Sequence, residues 1–110
     1  MSLNRYAKNT DANHRAIVNA LRMFGCSVEA ITGSAGTPDL LVGHLGLTEL
    51  VEVKDGSKPP SARRLNASQV AWHRRWRGRP VRVVESVDEA LALLQEMRAA
   101  MTSAEACETT

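Results

Sequence analysis

No run of apolar residues in the 110-residue chain approaches the roughly 18 that a membrane-crossing helix requires, and no apolar stretch of signal-peptide type stands near Met1. A cytoplasmic protein with no membrane among its partners is therefore expected. Cysteine is scarce: Cys26 falls at the start of a predicted strand and Cys107 in a polar tail, which excludes a disulfide framework and zinc-type spacing. Internal repeats are absent, and the length allows one hydrophobic core but not two. The small-residue segment TGSAGT, from Thr32 to Thr37, lacks the lysine and spacing of a phosphate-binding loop, which argues against nucleotide hydrolysis.

Acidic residues are missing from one long segment. From Lys58 to Arg82 there are eight basic residues and no acid, whereas beyond Val83 six acids face Arg98 alone. A net charge of +2 hides this asymmetry. Concentrated positive charge on one segment is how a polyanion-binding face reads in sequence, although a solvated basic surface has the same signature.

Apolar positions Ile17, Ala20, Leu21 and Phe24 follow helical spacing, with Thr10 or Asp11 available as N-cap and Gly25 as the left-handed stop. CSVEAI reads as a short strand, and PDLLVG and LTELVEV as two strands joined across HLG, the spacing of a hairpin. Pro38 opens its strand, where it costs no ladder bond. DGSKPPSARR reads as a loop. A helix follows, opened by the capping-box pair Asn66 and Gln69 and closed at Gly78; then come the strand VRVVE and a last helix opened by Ser86 and Glu89, with Val87, Ala90, Leu91, Leu94 and Met97 on one face. The order helix, strand, strand, strand, helix, strand, helix predicts an α/β or α+β domain over residues 1–101, a central mixed sheet flanked by helices, with residues 102–110 as a flexible polar tail.

Charge at the edges of the most apolar segment needs a reason. Asp39 opens one strand, and Glu52 and Lys54 close the next, projecting to the same face because strand residues two apart do so. Antiparallel pairing across the hairpin brings Asp39 beside them. Two converging carboxylates repel unless a cation joins them, and a hard divalent ion such as Mg²⁺ accepts one or two carboxylates while keeping water and phosphate ligands. Such an ion acidifies water and offsets charge on a reacting phosphate, with Lys54 positioned to assist. Singly, each of the three residues also fits a turn acid or a surface ion pair worth about 0–1 kcal/mol.

Pro38-Asp39 followed by Glu52-Val53-Lys54 resembles the signature of the PD-(D/E)XK nuclease superfamily. GTPDLLVG, LVEVKDG and the downstream Gln69 are similar to its VRR-NUC group, which includes small phage proteins related to Holliday-junction resolvases. The resemblance covers roughly residues 11 to 95 and implies a restriction-endonuclease-like core. It further implies Mg²⁺ (or Mn²⁺) held by Asp39, Glu52 and the Val53 carbonyl, catalysis by Lys54 with Gln69 in support, and a homodimer acting on branched or junction DNA in replication, recombination or repair, in a host cytoplasm if phage-encoded. The group often adds an acid from the first helix; ANHRAIVNALRMF has none, leaving Asp11, Asn13 or His14 as substitutes. Lys58, Arg63, Arg64, His73, Arg74, Arg75 and Arg77 are the expected DNA contacts. Gln69 serves equally well as a helix cap alone, Trp72 and Trp76 read as core or dimer contacts, and His44 as a solvated turn residue. A non-catalytic DNA-binding or packaging accessory protein that keeps the nuclease fold, and a pure protein-interaction module, are the competing classes.

Overall fold

Nothing between Ser2 and Met23 breaks a helix, since neither Gly nor Pro occurs there. In a computed structural model, which describes the backbone of residues 2–109 and the side chains of residues 12–103, the first helix, α1, spans Ser2–Met23. It therefore starts before the expected caps, and Thr10 and Asp11 lie within it; the side chain of Asp11 is outside the described residues. Gly25, at φ +92°, ends it as expected: its N–H donates to the Arg22 carbonyl and that of Cys26 to the Leu21 carbonyl, so the orphan carbonyls of the last turn are satisfied.

Three antiparallel neighbours follow, β1 (Ser27–Ala30), β2 (Leu40–His44) and β3 (Leu47–Val53), and β4 (Arg82–Val84) adds parallel to β3. The result is the four-stranded mixed sheet read from the sequence. The β2–β3 hairpin turns on two residues, Leu45 and Gly46, both at positive φ, the geometry that matches strand twist. His44 accordingly belongs to β2 and not to the turn. It shares the inward side with Leu40 and Val42, is buried, and brings Nδ1 to 3.3 Å from the Gly25 carbonyl oxygen, so the expectation of a solvated histidine does not hold.

Leu40, Val42, Val51 and Val84 project from one face of the sheet onto Ile17 and Leu21 of α1 and onto Ala90, Leu93, Leu94 and Met97 of the last helix, α4 (Val87–Thr109). Burying each of the Val, Leu, Ile and Met side chains among them contributes about 1.5–3 kcal/mol relative to exposure. α4 is capped by Ser86, whose Oγ accepts from the Glu89 N–H, while Glu89 reaches back to the N–H of Glu85 and not to that of Ser86. Where a flexible tail is expected from Thr102, the helix continues through Thr109; the segment carries no Gly or Pro, and Thr102 donates its hydroxyl to the Arg98 carbonyl within the helix. The side chain of Cys107 lies outside the described residues, and Cys26 is a buried free thiol whose pKa burial raises.

Between β3 and β4 the chain makes two helices, α2 (Pro60–Arg63) and α3 (Ala67–Arg75). The first falls inside the segment read as a loop; a proline at the first helical position is tolerated because its missing N–H would be unbonded there anyway. α3 has the full Asn66–Gln69 capping box, and it stops at Trp76, not at Gly78. No helix among the described residues is long and apolar enough to cross a membrane.

Candidate active site

Asp39 sits one step before the paired residues Leu40 and Val51, so continuing the register sets it opposite Glu52. Two bonds fix it there. Its carbonyl accepts from the Ile31 N–H at 2.9 Å, and its Oδ2 accepts from the Val53 N–H at 2.8 Å. Pro38 before it is fully buried, which holds the entry to the strand.

Glu52 is only 2% exposed, although it points away from the apolar core that Val51 enters. Its pKa is pushed up to about 8, first by burial, then by a hydrogen bond with the Asp39 side chain and by the Asp39 charge, with Lys54 pulling the other way. With no divalent cation beside it, Glu52 thus keeps its proton at neutral pH. Its Oε1 has no hydrogen-bond partner. A buried acceptor left without a donor is costly, on the order of 1–3 kcal/mol, and here it adjoins a second carboxylate.

Lys54 donates from Nζ to Gln69 Oε1 at 2.9 Å. The same oxygen accepts from the Asn66 N–H at 2.9 Å, so Gln69 is helix cap and partner of Lys54 at once, using both lone pairs of one carbonyl. α1 closes the cleft from the other side: Asn13 Nδ2 donates to the Lys54 carbonyl at 2.9 Å. Asn13, His14, Asp39, Glu52, Val53, Lys54, Asp55 and Gln69 together line a cleft of about 200 Å³. All four residues expected to act catalytically, and the residue whose carbonyl was expected to bind metal, therefore meet in one place.

The donor set suits a hard divalent cation. Two juxtaposed carboxylates, one carrying an unpartnered buried oxygen, offer it charge and open lone pairs, with a backbone carbonyl at Val53 beside them. Among the described residues no group of three or more His, Cys, Asp or Glu side chains forms a metal cage. Such a site leaves most positions of the ion to water and substrate, in the manner of Mg²⁺.

Sequence spacing did not reveal how α3 is docked. Gly36, at φ +88°, passes so close to the first turn of α3 that a Cβ there would sit 2.2 Å from the Ser68 carbonyl oxygen. Gly36→Ala is expected to cost about 3 kcal/mol in urea unfolding and to weaken the Lys54–Gln69 contact, whereas Ala35→Ser next to it changes stability by less than about 0.5 kcal/mol. His73, one turn beyond Gln69, was expected to touch DNA but is turned inward, its Nε2 3.9 Å from Glu52 Oε1, and burial together with the Lys54 charge lowers its pKa.

The basic segment divides into two sets. Arg63 is paired with Glu85 at 2.8 Å, Arg79 with the buried Glu49 at 2.7 Å, and Arg82 with Glu96 of α4. Arg64, Arg74, Arg75 and Arg77 are exposed and form no ion pair among the described residues; Lys58 is half-buried beside Asp55. A wider groove of about 760 Å³ adjoins the cleft through Asn13 and Asp55, but Glu85 and Glu89 offset the charge of Lys58 and Arg63 along it. No protein-family model matches the chain, and no curated protein matches it.

Proposed function

We propose that the protein is a divalent-metal-dependent DNA endonuclease that hydrolyses phosphodiester bonds, as its resemblance to the PD-(D/E)XK superfamily implies. One observation carries the reading: Asp39, Glu52 and Lys54 converge in a single cleft from two neighbouring strands, with one buried carboxylate oxygen left unpartnered. Asp39, Glu52 and the Val53 carbonyl would hold the ion, Mg²⁺ or Mn²⁺. Once bound, it supplies Lewis-acid charge to a phosphodiester and to a water molecule beside it.

The chain's own groups supply the rest. Lys54 places an ammonium group where negative charge develops on the phosphate, oriented by the neutral Gln69 amide, which fixes its direction without cancelling its charge. Asn13 holds the Lys54 backbone from α1. Arg64, Arg74, Arg75 and Arg77 offer guanidinium groups to the backbone of the substrate, contacts that give salt-dependent affinity and carry no base information. Selectivity for branched or flapped DNA suits a surface with no evident base-reading helix.

Incubation with linear and branched DNA in Mg²⁺, Mn²⁺ or EDTA tests this directly. Cutting that requires the metal is the expected result. A gel shift without cutting in either metal would replace the enzyme by a DNA-binding accessory protein, a reading favoured by the lack of an acid between Ala12 and Met23 of α1.

A further inference from the structure

The two tryptophans do not serve the core. α3 contributes no buried residue, and Trp76 is 44% exposed. Trp72 and Trp76 stack on each other, ring centroids 5.0 Å apart and planes 17° from parallel. The backbone at Gly78 passes the indole edge so closely that a Cβ there would lie 2.6 Å from Trp76 Nε1. Trp72 thus covers one face of the Trp76 ring and Gly78 lies against its Nε1 side, yet the residue keeps 44% of its surface exposed.

From the α3 surface carrying this pair we infer a stacking platform for an unpaired base of single-stranded DNA. Aromatic rings bind bases in this way irrespective of sequence, because every base has a π-face, and bases within a duplex are already stacked on their neighbours. Arg74, Arg75 and Arg77 flank the pair in the chain, exposed and without ion pairs among the described residues, and offer positive charge to the phosphates next to such a base. The same charge disfavours a second copy of the chain as occupant, since a two-fold contact across α3 would set these arginines against their own counterparts.

Position ties the platform to the cleft. Gln69, Trp72 and Trp76 are spaced i, i+3, i+7 and so lie along one side of α3, with Gln69 bonded to Lys54. Seven residues advance about 10.5 Å along a helix, so the Trp76 end of α3 lies within reach of a strand whose phosphate enters the cleft. Resting on the nuclease reading, the substrate is DNA with a single-stranded arm, its unpaired base held on Trp76 close to the bond that is cut.

Binding measured in EDTA separates this from catalysis. The full chain is titrated with a fluorescein-labelled oligothymidine of 20 nucleotides and with a duplex of the same length, following oligonucleotide anisotropy and intrinsic tryptophan emission. The single strand is expected to quench tryptophan emission more strongly than the duplex does; Trp76→Ala should lose about tenfold in single-strand affinity with duplex affinity unchanged, and Trp76→Phe should keep most of it. Equal affinities for the single strand in the native protein and in Trp76→Ala would overturn the platform, as would loss of self-association in Trp76→Ala by sedimentation without loss of DNA affinity, which would make the pair a subunit contact. Retained quenching in a protein that cuts nothing with Mg²⁺ or Mn²⁺ would uphold the platform while removing the nuclease.

Discussion

Lys54→Ala is expected to slow DNA cleavage about a thousandfold, the loss typical of one group that acts on charge developing in a transition state. Affinity for DNA should change by less than about threefold, because one of several phosphate contacts disappears. The geometry separates these effects. Lys54 Nζ meets the neutral Gln69 amide in the cleft it lines with Asp39 and Glu52, whereas the exposed arginines of α3 do not line that cleft. Its charge also lowers the Glu52 pKa, so its removal would make Glu52 harder to ionise and indirectly weaken metal binding. Comparing rates at saturating Mg²⁺, where the bound ion holds Glu52 ionised in either protein, isolates the direct contribution. Cleavage within tenfold of the native rate under those conditions would take Lys54 out of the mechanism.

The same cleft illustrates what a sequence carries and what it omits. Pro38-Asp39 and Glu52-x-Lys54 were legible as a pair because they lie on strands joined by a short turn, although the connection read as the three residues HLG closes on two, Leu45 and Gly46. Hairpin register follows from turn length, and strand alternation then assigns the faces. The order of elements was legible for the same reason, since caps and apolar periodicity are local. Element ends were less so. α1 and the last turns of α4 extend into segments where no strong breaker stands, α2 forms where a proline is tolerated at the first helical position, and the Trp76 N–H closes α3 on Trp72 before Gly78 is reached.

Contacts between distant segments could not be read at all. The inward turn of His73 to Glu52 depends on where α3 docks, which is set by Gly36 against Ser68. Arg63 and Arg79 are as basic as Arg74 and Arg75 in the sequence, yet partners 22 and 30 residues away withdraw them from the surface charge. A run of positive charge therefore overstates the face available to a polyanion until its internal acids are located. The burial of Glu49 opposite Val42, on the side of the sheet that faces the core, left no periodic signal beyond one charge in an apolar strand.

Glu52→Gln should make the metal-free protein more stable while abolishing cleavage. The Glu52 pKa rises from 4.5 to about 8 on folding. Between those values the folded chain holds a proton that the unfolded chain has released, so stability falls as pH increases, by about 1.4 kcal/mol per unit at most, and levels off above the folded value. This is the reverse of the usual carboxylate, whose pKa folding depresses. Glutamine keeps the shape, stays neutral and donates to Asp39, so its advantage over the native residue should be absent below pH 4.5, grow through the window and reach about 2 kcal/mol at neutral pH, on the order of 10 °C in melting temperature for a domain this size. Mg²⁺ should act oppositely: in the native protein it replaces the Glu52 proton and raises the melting temperature far more at pH 8.5 than at pH 5.5, by about 2.7 kcal/mol when present at a hundred times its dissociation constant. Glu52→Gln should show little of that response. Melting curves from pH 5 to 9, with and without Mg²⁺, check both halves; an identical pH slope in the two proteins would mean that Glu52 does not carry the buried proton, and a full Mg²⁺ response in the variant would place the ion elsewhere.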